Sequence, residues 1–387
     1  MFTDEQEELR AIVRGFLVDR CPEAQVRRFV EDDLGHDPRV WRELGAGLGL
    51  QGIGVPEEYG GAGHGIVEQA VVFEELGRAN VGLPFLSTVA LAENLLLAVG
   101  DDAACREHLP GLVDGSRVAT VALAEQGCGW DPAGVELQAR PSGTGWTLHG
   151  EKLYVSDGQA ADLLLVVARA PEGLTVLSVD GGYEVTPMRT VDLARRQARL
   201  RFDGVPARLI GEPGSAAGAV GRMLDRAVVA LACEQVGGAR WCLEATVAYA
   251  AVREQFGRPI GSFQAVKHAC ADMLLDVEQA ASAAYHAVWA VADAESAGSA
   301  AVDAVEIGIA ASLAKACCSR AFESVSAQAI HLHGGIGFTW EHPAHLYHRR
   351  ARASAALFGG AARHLDRMVD LAGPTRVTST RPPSNVF

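Results

Sequence analysis

The residues with the clearest chemical potential lie between His331 and Gly360, HLHGGIGFTWEHPAHLYHRRARASAALFGG. Gly334, Gly335 and Gly337 leave three of four positions without a Cβ, so the backbone can take positive φ and lie against a phosphate or a flat ring. Pro343 then starts a helix at its first turn. That helix carries Arg349, Arg350 and Arg352 and stops at a second glycine pair, Gly359–Gly360. Two turns flanking a surface helix would give the same pattern. A second stretch, REQFGRPIGSFQ from Arg253 to Gln264, pairs a guanidinium suited to a diphosphate with an aromatic face, Phe256, suited to a heterocycle. The alternative is that Arg253 makes a helix-end ion pair and Phe256 is core. Glu234 stands among alanines and glycines in ALACEQVGG. A carboxylate there is rarely buried without a partner, so it is either a base or half of a structural ion pair.

Bulk properties narrow the partners. With 34 Lys+Arg against 48 Asp+Glu the formal charge is −14, which argues against nucleic acid. A polyanionic small substrate would need a local basic patch. Arg189, Arg195, Arg196, Arg199 and Arg201 form such a run, though a solvated strand edge explains it better. The 8 cysteines show no CxxC pair, and Cys317–Cys318 are adjacent, so neither a metal site nor a disulfide framework is expected, and a reducing cytoplasm fits. Asp4, Glu5, Glu7 and Glu8 stand where a signal peptide would be basic and then apolar. No charge-free apolar run approaches the roughly 18 residues of a membrane span.

These residues must be held by a chain whose hydrophobic period changes twice. Thr3 with Gln6 reads as a capping box, followed by the stripe Leu9, Ile12, Val13, Phe16 and Leu17, with Cys21-Pro22 as the stop. Helices are predicted over Val40–Leu50, Ile66–Gly77, Ser87–Val99 and Ala103–Val113, with an irregular Gly52–Gly61 between the first two. From Val118 the pattern turns to short apolar or alternating runs: 118–122, 135–139, 145–148, 163–168, 174–179 and 198–202. No helical pattern separates them, which predicts a small antiparallel sheet. From Ala216 the helical period returns to about Leu371, with Ala-rich stretches at 279–296 and 302–329 that suit a bundle and an oligomer core. The expected division is 1–117 helical, 118–213 β, 214–373 helical bundle and 374–387 a mobile tail.

Taken together, the Arg253–Gln264 stretch and the glycine turn about 80 residues later resemble the acyl-CoA dehydrogenase family of flavoproteins. So do PEEYGG inside Gly52–Gly61, Leu123–Asp131 against TEPxAGSD, and Tyr154-Val-Ser156 against WIT. The resemblance covers nearly the whole chain and implies the same architecture: a helical N-terminal domain, a β-barrel or sandwich, and a C-terminal four-helix bundle. It implies FAD, with Arg253 on the pyrophosphate, Phe256 against the cofactor, and Gln264 at the adenosine part. It further implies Tyr154 beside the flavin ring, Ser156 at its N5–O4 edge, and a dimer or tetramer in which neighbouring chains share the cofactor. The substrate implied is an acyl thioester on CoA or a carrier protein, and the electron acceptor an electron-transfer flavoprotein or similar partner.

Three positions depart from the family pattern. His331 replaces the glutamine before the glycine pair, although a ring nitrogen can still donate to a phosphate. Ala124 replaces a threonine whose hydroxyl meets the flavin. Phe358 stands 24 residues after Gly334, before Gly359-Gly360, where many members carry the glutamate that removes the α-proton before Gly-Thr. The second position some members use falls on Ala227. Glu234 lies two turns further on the same helix face, whereas Asp225 points elsewhere and reads as an exposed charge. The Phe358 backbone N–H would still serve a thioester oxyanion, its ring filling part of the acyl pocket. Three readings remain open: a homo-oligomeric dehydrogenase with an unusual base, a base-deficient partner in a hetero-oligomer with a paralogue, or a flavin monooxygenase or oxidase on this fold.

Overall fold

The computed structural model describes residues 2–31, 35–143, 145–297 and 303–376. The N-terminal helices are α1 (Asp4–Arg20), α2 (Glu23–Glu31), α3 (Pro38–Arg42), α4 (Ile66–Ala79), α5 (Asn94–Val99) and α6 (Asp102–Val113). The capping box on α1 is present: Gln6 N–H donates to Thr3 Oγ1 at 3.3 Å and Thr3 N–H to Gln6 Oε1 at 2.9 Å. Two expected helices differ. The Val40–Leu50 helix is the short α3 followed by a π turn at Glu43–Gly47, and the front of the Ser87–Val99 helix is a π-helical segment, Leu86–Glu93. An apolar run buried on every side shows no stripe, so a 4.4-residue turn cannot be told from a 3.6-residue one by period.

Among the described residues the middle region forms one sheet from β1 (Ala119–Ala122), β2 (Gln138–Ser142), β3 (Gly145–Ser156), β4 (Leu163–Ala170), β5 (Gly173–Val179), β6 (Glu184–Pro187) and β7 (Gln197–Ile210). The order is β1-β4-β2-β3-β7-β5, with β4 also paired to β5 and β6 laid on β7. The antiparallel expectation needs correction: β1 runs parallel to β4, Ala119 opposite Leu163, and β2 meets β4 in parallel at Gln138 and Arg169. Alternation along β4 explains its place in the sheet. Leu163, Leu165 and Val167 face the core shared with the helices, while Leu164, Val166 and Ala168 face the interior of the sheet domain. The exposed β6 has no apolar pattern and was not anticipated.

The C-terminal bundle contains α7 (Ala217–Val252), α8 (Gln264–Ala297), α9 (Asp303–His333), α10 (Ala344–Ala356) and α11 (Ala361–Arg376), with α9 packed against the other four. A two-residue hairpin, β8 (Glu254–Gln255) and β9 (Arg258–Pro259), joins α7 to α8. Helices α4 and α7 cross with their backbones nearly touching. A Cβ on Gly77 would lie 1.9 Å from the Glu234 carbonyl oxygen, and one on Gly237 1.8 Å from that of Glu74. That crossing fixes where Glu234 enters the core. The tail expected from Pro374 lies almost wholly outside the described residues. No described helix is long and apolar enough to cross a membrane.

Burial holds five histidines, His108, His342, His345, His348 and His364, below the usual imidazole range, His364 at about 4. Each is depressed in the folded state, so the unfolded chain binds more protons once pH drops below about 6.5, and stability falls with it. Melting temperatures should hold between pH 8 and 7 and drop steadily from pH 6.5 towards 4.5. A flat profile across that window would contradict the buried neutral rings.

Candidate functional site

The structure gathers the chemistry-bearing residues into two groups at different heights along α7. The first surrounds a cleft of about 490 Å³ between the middle domain and the bundle, lined by Trp130, Asp131, Leu224, Val228, Phe358 and Arg363 among others. Phe358 follows the last turn of α10 at φ +59°, in the left-handed region that a bulky side chain rarely adopts. Its ring is buried and meets Trp130 edge-on at 4.9 Å. Its carbonyl accepts from His364 Nε2 at 3.1 Å. The amides on either side, Leu357 and Gly359, bond back to α10 through Ala353 and Ala356. The phenyl–indole pair therefore lines the cleft between the middle domain and the bundle.

Carboxylates near this cleft are engaged or wet. Asp225, expected to be exposed, is buried and bonded to Arg367 at 2.5 and 3.0 Å. Asp131 reaches Arg363 only at 3.6 Å and stays half-exposed. Ala227 is fully buried and apolar. Glu234 is bonded by Arg195 Nη2 at 2.5 and 2.6 Å and by Arg350 Nη1 at 2.9 Å. Burial opposes its charge, but the two guanidiniums outweigh that and hold the carboxyl below its ordinary range. Of the two roles open to Glu234, the structure supports the ion pair. A base must take up a proton near neutrality, and this carboxylate has two cations opposing that.

Arg350 also donates through Nε to Asp192 and through Nη2 to the Val81 carbonyl at 3.1 Å. Arg195 reaches Ser354 Oγ at 3.3 Å. The expected basic surfaces are thus partly inward: Arg195 of the β-domain run and Arg350 of the basic helix meet over Glu234, while Arg199 pairs with Glu151 in solvent. Sequence alone missed this knot because its members are 39, 116 and 158 residues apart.

Tyr154 and Ser156 close β3. A register shift between Lys152 and Val155 puts Tyr154 at φ +53° with its ring half-exposed. Leu153 N–H donates to the Ala124 carbonyl at 2.8 Å, tying this bulge to the Leu123–Asp131 loop. Ser156 is buried, its carbonyl accepts from Thr120 Oγ1 at 2.6 Å, and its own Oγ has no partner among the described residues.

The second group sits at the far end of the bundle, where α7 and α9 end and α8 begins. Arg253 caps α7. Phe256 and Gly257 form the two-residue turn of the β8–β9 hairpin at φ +54° and +75°, the geometry of a type I′ turn. Asparagine or glycine is usual there; instead an aromatic ring is displayed, 92% exposed. Gln264 opens α8 on the same side. His331 is exposed on the last turn of α9, and Gly334 at φ +64° opens the turn that follows. A Cβ at Gly337 would meet the Ile330 carbonyl at 2.8 Å, so that glycine is demanded by the chain itself. Gly334 and Gly335 have open space instead. His333, between Tyr249 at 4.5 Å and His342 at 4.2 Å, fastens the glycine turn to the end of α7.

A family profile described as "Acyl-CoA dehydrogenase, N-terminal domain" matches residues 3–116, and one described as "Acyl-CoA dehydrogenase, C-terminal domain" matches residues 218–371. The chain belongs to the acyl-CoA dehydrogenase family. Acyl-CoA dehydrogenase IpdE2 of Mycolicibacterium smegmatis is 34% identical over 366 residues, covering 95% of this chain and 98% of that relative. Acyl-CoA dehydrogenase FadE34 of Mycobacterium tuberculosis is 36% identical over 386 residues, 95% of this chain but 48% of its own length. Among solved structures, a variant of the Tcur3481-Tcur3483 steroid ACAD superposes with TM-score 0.84 at 35% identity, covering 97% of this chain and 99% of that one. The ChsE4-ChsE5 complex of Mycobacterium tuberculosis gives 0.85 at 28%, with 99% of both chains covered. The architecture expected from the resemblance is therefore present, and the oxidoreductase family with it.

Replacing Glu234 with Gln leaves two buried guanidiniums facing one carboxylate, Asp192. Breaking a buried pair in this way costs about 3–5 kcal/mol. Glu234→Gln should therefore lower the melting temperature strongly, whereas Glu151→Gln at the exposed Arg199 pair should shift it little. Equal, small effects would show that the knot carries no structural weight.

Proposed function

We propose that this chain is one half of a FAD-dependent acyl-CoA dehydrogenase, paired with a related chain that supplies the base. One observation carries the reading: no carboxylate that could act as the base stands at either position where the resemblance expects one, and the buried Glu234 is held by arginines. Position 358 is a phenylalanine packed on Trp130, position 227 is an alanine, and Glu234 is fixed by two arginines. The Arg253–Phe256–Gln264 hairpin and the His331–Gly337 turn nevertheless fit a dinucleotide: a guanidinium, a displayed ring and two open glycines on one face. When bound, the flavin would supply the acceptor for the β-hydride of an acyl thioester.

From Val228 at the cleft to Arg253 is about 38 Å of helix, too far for one cofactor to touch both groups of one chain. In this reading the bundle end serves a flavin whose ring and thioester lie in the partner. Arg253 would hold the diphosphate, Phe256 would pack on the cofactor, Gln264 would meet the adenosine part, and the glycine turn would offer its backbone. The two-component names of the Tcur3481-Tcur3483 and ChsE4-ChsE5 structures support a mixed assembly. The match to half of FadE34 leaves room for a second unit of this size in that chain. Eight free cysteines suit a reducing compartment such as the cytoplasm.

Purified alone, the chain should be colourless and leave acyl-CoAs unchanged. Co-expressed with a related chain that carries glutamate before Gly-Thr, it should yield a yellow complex that bleaches on an acyl-CoA. Arg253→Ala should cut the flavin retained by that complex at least about tenfold, in line with the loss of one charge-assisted contact of roughly 1.5–3 kcal/mol. Phe256→Asn should reduce retention while leaving the melting temperature unchanged or raised, since asparagine takes the left-handed conformation with less strain. A lone chain that is yellow and bleached by an acyl-CoA would overturn the proposal.

A further inference from the structure

Gly334 and Gly335, with open space around them, leave the turn after α9 little steric guidance. A ring stands at each end of it. His333 closes α9, and its Nδ1 lies 2.7 Å from the Ala329 carbonyl oxygen. A carbonyl only accepts, so Nδ1 carries the proton, and the buried Nε2 keeps a lone pair that has no partner among the described residues. His342 stands at the other end, its ring centroid 4.2 Å from that of His333. There the backbone N–H of Ala344 donates to His342 Nδ1 at 3.2 Å. That nitrogen is therefore bare, and the ring's one proton sits on Nε2.

This bond starts α10. Pro343 occupies the cap position without a side-chain hydrogen bond, so the first amide of the helix is met by the His342 ring. A proton on Nδ1 would set two donors face to face and break the bond. It would also place a cation at the positive end of the helix dipole. Burial weighs most against such a cation, and His333 on α9, Arg27 on α2 and His345 on α10 add to it, while Glu23 on α2 favours the charge. The sum holds His342 below the usual imidazole range. On the α7 side, His333 is faced by the Tyr249 ring at 4.5 Å.

We infer that His342 is a positioning residue: its neutral ring latches the glycine turn between α9 and α10, and its protonation in mild acid releases that turn. The same turn is proposed above to meet a dinucleotide, so the consequence for flavin rests on that reading, whereas the latch does not. The neutral form is the bonded one. An unlatched ring takes up a proton as pH falls below about 6.5, so the closed turn is at full stability above neutrality and loses it towards acid.

Hydrogen exchange of the full chain, read by mass spectrometry and corrected for the intrinsic pH dependence of exchange, tests it. Between pH 7.5 and 5.5 the protection of peptides spanning 334–342 should fall by about fivefold or more, while the buried middle of α9 keeps its own. His342→Asn supplies an amide oxygen that can accept from the Ala344 N–H two residues on and does not titrate, so its turn should stay protected at both pH values. His342→Leu should leave the turn open at both. His345→Gln, which removes a neighbouring depressed imidazole, should respond as the wild type does. Flavin retained by the mixed complex should fall over the same window and hold in His342→Asn. If the exchange pattern holds but the complex binds no flavin, the latch stands and the flavin reading falls. A wild-type turn equally protected at pH 7.5 and 5.5, or a His342→Asn turn that opens at pH 5.5 as the wild type does, would overturn the inference.

Discussion

The interaction on which the rest of the structure depends is the buried meeting of Arg195 and Arg350 with Glu234 and Asp192. They come from three stretches: Asp192 and Arg195 from the middle domain, Arg350 from α10 and Glu234 from α7. Arg350 reaches on to the Val81 carbonyl, so the N-terminal helices are fastened as well. Buried ions gain little net energy over a well-packed apolar cluster, because desolvation offsets most of their attraction. What they add is direction. Four groups that must all be paired leave one way to set the middle domain against the bundle. Its members also frame the cleft indirectly, since Ser354, bonded by Arg195, lies one turn before Phe358.

A second polar set holds the same turn from below. Lys315 on α9 is fully buried and donates to Ser319 Oγ and to the Ser354 and Ala355 carbonyls at 2.9–3.0 Å, ending α10 where its dipole is negative. Burial lowers this ammonium to about 8, so its charge is retained at neutral pH by contacts with carbonyls in place of a carboxylate. His364 takes the Phe358 carbonyl from the α11 side. The left-handed Phe358 is thus over-determined, which is how a strained residue persists.

Local signals in the sequence translated well where one element decides them. The Thr3–Gln6 box, the stop at Cys21-Pro22 and the alternation on β4 all follow from short-range chemistry. The β-to-helix change near residue 216 was legible for the same reason. Partners distant in the chain were not. Nothing in LLLVVARA says that its neighbour runs parallel, and nothing in the arginines from 189 to 201 says that Arg195 turns into the core. The fully buried 86–93 segment hid its π-helical turn because it lacks a polar face. At the site, the motifs located Arg253, Phe256 and the glycine turn as surface features of one bundle end, but Trp130 on Phe358 required three dimensions.

The two halves of the site have departed from each other in a physically coherent way. The phenylalanine at position 358 brings no charge that would need solvation or a cation, and Trp130 offers its ring an edge-on partner. That contact covers apolar surface inside the cleft, about 38 Å of helix away from the other end of α7. Phe256, by contrast, stays exposed in a backbone conformation that disfavours it. Within this chain the ring meets only the edge of Phe263 at 6.1 Å among the described aromatic pairs and gains little burial to offset its strain. A strained aromatic displayed to solvent is the arrangement expected of a surface that something outside the chain covers.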